Sequence, residues 1–265
     1  YPPDLPDRDR LSYYATQFDT VEIDSTFYGT PSATTVRNWA SKVSTGFVFA
    51  VKVWQEITHQ KCLRDCDKEL TDFVKTMDLL GEKLGPMLLQ LPFFNRSIFK
   101  DQSEFLDRLR EFLPTLPRDH RFALEIRNPD WLDARLADLL REYGLALVLQ
   151  DQSWMPRPTE VFARFDPITA NFTYARLLGG RKGIETVTKT WDRVVVGRSA
   201  ELSEWHGILT TVRKRGIEEF VYINNHYSGC GHITARTFLN MFGVEAPKPR
   251  TSITQISTEA QGKLF

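Results

Sequence analysis

The chain has 265 residues, and its 34 Lys and Arg balance 34 Asp and Glu, which excludes a global basic field able to gather nucleic acid or an anionic membrane. With 42% hydrophobic and 26% charged residues, it is a globular chain with ample apolar material for a core. Three cysteines, Cys62, Cys66 and Cys230, are too few and odd in number for a disulfide scaffold, which points to a reducing compartment and the cytoplasm.

The opening YPPDLPDRDR is a Pro-rich loop without the basic end or apolar region of a secretory signal, and LSYYATQF after it reads as helical. From there, short apolar, β-branched runs alternate with longer segments of helical periodicity, the pattern of repeated β-α units around a parallel sheet. Seven strands are predicted: TVEIDSTF (20–27), FVFAVKV (47–53), GPMLLQLP (85–92), RFALEIR (121–127), LALVLQDQ (145–152), FTYARLLG (172–179) and EFVYINNH (219–226). Between them, SATTVRNWASK, DKELTDFVKTMDLLGEKL, QSEFLDRLREFL, PDWLDARLADLLREYG and ELSEWHGILTTVRKRG carry apolar residues at intervals of three and four, as amphipathic helices do. Asn128-Pro129 opens one of them, and Gly144 and Gly216 close two. No run reaches the roughly 18 apolar residues of a membrane span.

A (β/α)₈ barrel typically takes about 250 residues. No G-x-G-x-x-G turn follows any strand to mark a doubly wound sheet. The expected fold is therefore an α/β TIM (β/α)₈ barrel, one domain over residues 1–243, whose first strand precedes Tyr1. Residues 244–265, polar and Pro-containing, are expected to form an extended or disordered tail.

The polar and ionisable residues collect at the C-terminal ends of the strands. They are Glu22 and Asp24, Lys52, Gln90, Glu125 and Arg127, Asp151 between Gln150 and Gln152, Arg176, and Asn224, Asn225 and His226. In a barrel those ends converge on one rim, where barrel active sites are built. Residues two apart share a face, so Glu22 goes with Asp24, Glu125 with Arg127, and Tyr174 with Arg176. A charge buried unpaired is costly, so these acids and bases are expected to offset one another. The set fits a polar or anionic ligand with proton transfer; a structural ion-pair network closing the barrel is the alternative.

The catalytic candidates are Glu22, Lys52, Glu125 and Asp151. The binding candidates are Asp24, Tyr28, His59, Gln90, Arg127, Arg176, Asn224, Asn225 and His226. Glu125 or Glu22 would move protons, Lys52 and Arg127 would stabilise an anion, and Gln90, Asn224 and Asn225 would orient it. Trp54, Trp154, Tyr28, Phe93, Phe94 and Tyr227 follow strand ends and would add stacking surfaces suited to sugar rings or nucleobases. His120 and His206 are assigned to the opposite end or the outer layer.

No metal and no cofactor is expected. The H-x₂-C-x₃-C run at His59, Cys62 and Cys66 has Glu69 where an iron–sulfur loop would carry its third cysteine. A single zinc or manganese on His226, Glu125 and Asp151 is an alternative with no ligand spacing behind it. Neither a G-x-S-x-G elbow nor a G-x-x-x-x-G-K-[ST] loop occurs, which argues against serine hydrolases and nucleoside triphosphatases.

VEIDSTFYGTPSATTVRNWA, FAVKVWQEITH, LGEKLGPMLLQLP, ALEIRNPDW, ALVLQD, YARLLGG and VYINNHYSG, in that order between Tyr13 and Phe242, closely resemble the YecE-like family, domain of unknown function 72. The resemblance implies a TIM barrel of bacterial and archaeal proteins with no established activity. It also implies a first strand followed by a Phe-Tyr-Pro element, of which Tyr1-Pro2 would be the remnant. The family's recurring polar positions map onto Glu22, Ser25, Thr26, Tyr28, Lys52, His59, Gln90, Glu125, Arg127, Asp151, Arg176, Asn224 and Asn225. Two residues depart from the family pattern: Asp24 stands where Asn is usual, and Leu178 stands where the family reads Arg-Leu-His-Gly. The second departure weakens any mechanism that needs that histidine.

The leading expectation is an enzyme, a hydrolase, lyase or isomerase, acting on a small polar or anionic substrate such as a sugar or phosphate ester. Similarity at fold level to xylose-isomerase and endonuclease-IV barrels implies the alternative of a nucleic-acid-binding or repair protein. A non-catalytic ligand-binding scaffold is the third reading.

Overall fold

The computed structural model describes residues 1–244, so the tail expected over 244–265 lies, from residue 245 on, outside the described residues. All seven predicted strands form: β1 Thr20–Ile23, β2 Val48–Lys52, β3 Leu84–Gln90, β4 Phe122–Glu125, β5 Ala146–Gln152, β6 Phe172–Gly179 and β7 Glu218–Ile223. They make one parallel sheet in sequence order, wrapped into a nearly closed α/β TIM barrel. The helices are α1 Arg10–Tyr14, α2 Ala33–Ser41, α3 Asp67–Met77, α4 Gln102–Phe112, α5 Ala134–Tyr143, α6 Pro158–Arg164, α7 Arg181–Val187, α8 Ser199–Lys214, α9 Asn225–Ser228 and α10 Gly231–Met241. No helix among the described residues is long and apolar enough to cross a membrane.

Side-chain caps set the starts of α2, α4 and α5. Ser32 accepts from Thr35 N, Asp101 from Ser103 N and Glu104 N, and Asp133 from Leu136 N, each satisfying an N–H that has no partner within its helix. The Asp133 cap corrects the predicted start of that helix. Pro129–Trp131 is a separate 3₁₀ turn, and α5 begins only at Ala134. α3 likewise stops at Met77, and a 3₁₀ stretch broken at Gly81 runs on to Lys83. The Gly-rich HYSGCGH segment after β7 holds most of α9 and the start of α10.

Period-two alternation divides every strand. Phe49, Val51, Met87, Leu89 and Leu124 pack outward beneath the helices with Phe73, Phe105 and Leu136. Ala50, Leu88, Ala123, Ala146, Val148, Phe172, Tyr174 and Phe220 pack inward as the floor of the barrel. In β2 to β6 both faces are buried, so these strands read as continuous apolar runs, as strands of parallel sheets do.

Among the described residues β1 and β7 are the two edges of the sheet, and side chains bridge them. Thr20 Oγ1 and Tyr222 OH lie 2.8 Å apart, and from β6, next to β7, Tyr174 OH donates to Glu22 Oε2 at 2.6 Å. A cavity of about 770 Å³ opens along this seam, walled by both edge strands and by Phe238, Leu239 and Phe242 of α10 and its end.

Candidate functional site

The polar ends of the strands meet above the apolar floor in two sets with different chemistry. The first is a plug built on Arg176, which is 4% exposed and reaches across the barrel from β6. Its Nη2 donates to Glu22 Oε1 at 2.6 Å, and its Nη1 donates to Glu125 Oε2 at 2.5 Å and to Gln90 Oε1 at 3.1 Å. Arg127 Nε donates to the other oxygen of Glu125 at 3.0 Å, as expected of residues two apart on one face.

Glu125 is fully buried. Burial opposes its ionisation, but the guanidiniums of Arg176 and Arg127 outweigh burial and hold its carboxyl below the usual carboxylate range. Both oxygens of Glu125 and both of Glu22 are therefore engaged. Burial and the neighbouring Glu22 charge keep Tyr174 well above the ordinary phenol range, so it stays a neutral donor.

The second set is a crescent on β2, β3 and β4. Lys52 is 8% exposed, lies 3.0 Å from Asp24 Oδ1 and sits 4.8 Å from the Phe27 ring centre. His59 packs edge-on against the same ring at 4.9 Å. Burial, followed by the positive charges of Arg127 and Lys52, pushes the His59 imidazole down to about 4, with Glu125 opposing. It is neutral at pH 7. Its Nδ1 lies 2.8 Å from Thr58 Oγ1; with the proton on Nδ1 donated there, Nε2 keeps its lone pair and has no partner among the described residues. The terminal nitrogens of Arg127 and Nε2 of Gln90 also have no partner there.

The backbone that carries His59 is unusual. Glu56–Gln60 forms a single π-helical turn, and Cys62, Leu63 and Asp65 after it all have left-handed φ of 47°, 65° and 48°. None is glycine, so the loop stores strain of the kind that persists where surrounding structure enforces it. Lys61 Nζ clamps it by donating to Asp65 O and Glu69 Oε1, both at 2.8 Å.

Other predicted residues lie outside these sets. Asp151 points to the outer layer, where its Oδ2 accepts from Trp205 Nε1 at 3.1 Å and Tyr227 OH at 3.0 Å. Its neighbours Gln150 and Gln152 take the inward phase. Asn224 Oδ1 caps α9 through His226 N, and Asn225 Oδ1 accepts from Gly231 N, so these amides organise their own loop. His226 pairs with Asn224 and Glu185. The zinc or manganese set of His226, Glu125 and Asp151 is thus dispersed among three environments, and no described group of three or more His, Cys, Asp or Glu could hold a metal.

Tyr28, Phe93 and Trp154 are exposed at the rim, whereas Phe94 and Tyr227, expected to stack there, are buried. Phe94 lies among Phe99, Phe105 and Trp131, pinned by a reciprocal backbone pair with the Asn128 amide. His120 sits at the opposite end with Asp78 and Asp119, and His206 packs on Phe242 in the outer layer, both as expected.

Gly179 closes β6 with φ +66°, and a Cβ there would come within 2.6 Å of His226 O and 2.7 Å of Tyr227 Cα. That packing ties the end of β6 to the α9 turn.

The family model for "Protein of unknown function DUF72" matches residues 1–258. The chain belongs to the DUF72 family. Among curated relatives, the UPF0759 protein YecE of Escherichia coli (strain K12) is 33% identical over 121 residues, 46% of this chain and 42% of YecE, so that match spans under half of its length. The UPF0759 protein YunF of Bacillus subtilis (strain 168) is 25% identical over 92% of this chain and 90% of its own. Crystal structures of DUF72 family proteins show the same fold. One from Thermotoga maritima matches with a TM-score of 0.71 and 25% identity, covering 92% of each chain. One from Enterococcus faecalis matches at 0.67 and 20%, covering 89% of this chain and 94% of that one. The family has no established substrate.

Proposed function

We propose that the mouth of the barrel binds a small anionic substrate and moves a proton on it, with His59 as the base and Lys52 and Arg127 holding the negative charge. The observation that carries this reading is the pairing of a neutral imidazole, depressed to about 4, with two cations whose hydrogen-bonding capacity is incompletely used. An anion between them would complete those donors, and His59 Nε2 would face it as an unprotonated base at neutral pH. Glu22 and Glu125, with all four oxygens engaged, serve this reading as positioning residues for the arginines rather than as proton carriers. Lys52 acts as an electrostatic anchor. Isomerase, lyase and hydrolase chemistry all use one such base.

Calorimetric titration with inorganic phosphate tests the binding half. Saturable binding is expected for the unaltered protein, with at least a ten-fold loss in Lys52→Met and in Arg127→Met. Equal binding by all three proteins would refute the reading.

One observation favours a second reading, in which the rim binds nucleic acid. Tyr28, Phe93 and Trp154 stand exposed after β1, β3 and β5 as stacking surfaces. Gel-shift titrations across a salt series decide it, since absence of salt-dependent binding to single- or double-stranded DNA removes it.

A further inference from the structure

Gln150 and Arg176 are direct register partners on β5 and β6. Both point into the barrel, in phase with Val148 and Tyr174 of its floor. Gln150 is 4% exposed and Gln152, two residues nearer the rim, 9%. Gln150 Nε2 donates to Ile126 O at 2.6 Å, which fixes the orientation of the amide and turns Oε1 away from that carbonyl. That oxygen has no partner among the described residues. Arg176 uses Nη1 and Nη2 on Gln90, Glu125 and Glu22, and its Nε–H is unmatched too. Gln152 Oε1 is a second buried acceptor without a partner.

Register partners on adjacent strands lie about 4.8 Å apart at the backbone, so the buried acceptor and the buried donor belong to neighbouring inward-pointing side chains. Buried polar groups are almost always matched. A hydroxyl matches this pair, because it gives its proton to one group and accepts from the other. β2 to β4, which continue the sheet on the other side of β5, have the reverse character in their open valences, with Lys52, Gln90 and Arg127 all presenting donors.

We infer that the substrate is a hydroxylated anion: its phosphate or carboxylate lies on the Lys52–Arg127 crescent, and an alcohol group is seated between Gln150 Oε1 and Arg176 Nε. Gln152 takes the proton of a second hydroxyl. Gln150 is then a specificity-determining residue, separating polyol or sugar anions from alkyl anions of the same charge. This inference rests on the anion-binding reading of the crescent.

The test uses two matched pairs on the full chain: glycerol phosphate against propyl phosphate, and glycerate against propanoate, with inorganic phosphate as the probe of the crescent alone. The hydroxylated member of at least one pair is expected to bind ten-fold or more tightly than its partner, and the pair that discriminates identifies the anion. Gln150→Met is expected to bring that ratio close to one while inorganic phosphate binds as before. Equal affinities within both pairs, with inorganic phosphate still bound, would overturn the hydroxyl inference and leave the anion reading intact. Failure of every anion to bind would remove both. The comparison within each pair needs no variant, so a poorly folding Gln150→Met does not blunt it.

Discussion

The plug and the crescent draw on the same residue types, sit on the same rim and differ in saturation. In the plug, both terminal nitrogens of Arg176 are matched by Glu22, Glu125 and Gln90, leaving its Nε alone unmatched, and both carboxylates have every oxygen engaged. In the crescent, among the described residues, Lys52 has only the largely exposed Asp24 as its ion-pair partner, and the terminal nitrogens of Arg127 and Nε2 of His59 have no partner. Charge at a barrel mouth is therefore a poor guide to chemistry until hydrogen-bonding capacity is counted. Carboxylates with every oxygen engaged hold strands together, whereas a set with several open donors is complementary to something else.

The sharpest way to break that comparison is to disturb each side separately. Arg176→Met strands two carboxylates in the barrel and is expected to cost ~3–5 kcal/mol in chemical denaturation. A loss under about 1 kcal/mol would mean the plug is not structural. Asp151→Ala removes the acceptor of Trp205 and Tyr227, so a loss of ~1–3 kcal/mol is expected with phosphate binding unchanged. An equal loss of binding would return Asp151 to the site.

The pH dependence follows from His59. Its folded value is depressed from 6.5 to about 4, so the unfolded chain binds more protons between those values, and the folded state loses stability as pH falls through that window. The residue is partly exposed, so the expected effect is about 1–2 kcal/mol, discounted for solvent screening. His120 works the other way: burial opposes its protonation, but hydrogen bonds to Asp78 and Asp119 outweigh this, raise it, and give stability lost as pH rises. Subtracting the stability–pH curve of His59→Gln isolates the His59 contribution, and a flat difference curve would contradict it. The smallest stability effect belongs to Lys52→Met, under about 1 kcal/mol. Its signature is lost phosphate binding in a protein that is otherwise as stable.

Much of the frame was legible in the sequence. All seven strands lie where the β-branched runs put them, and Glu125 shares a face with Arg127, and Tyr174 with Arg176, as period-two geometry requires. Asp151 was harder, because LALVLQDQ is apolar on both faces and carries no alternation to say whether Asp151 or its flanking glutamines turn inward. Saturation was beyond reach as well. That Glu125 is fully engaged depends on Arg176, 51 residues later, crossing the barrel to meet it. His59 is legible as a polar rim residue, but its neutrality comes from burial and from Arg127 beyond β4 and Lys52 at the end of β2, and no spacing in EITHQKC encodes the π-turn that places it.

The anion-binding claim is tested most directly by following the His59 ring protons by NMR through a pH titration, with and without inorganic phosphate. A midpoint near 4 without phosphate is predicted, rising by about one pH unit or more when phosphate is saturating, because a bound anion stabilises the imidazolium. A midpoint near the ordinary 6.5 without phosphate, or one that saturating phosphate leaves unmoved, would contradict the account.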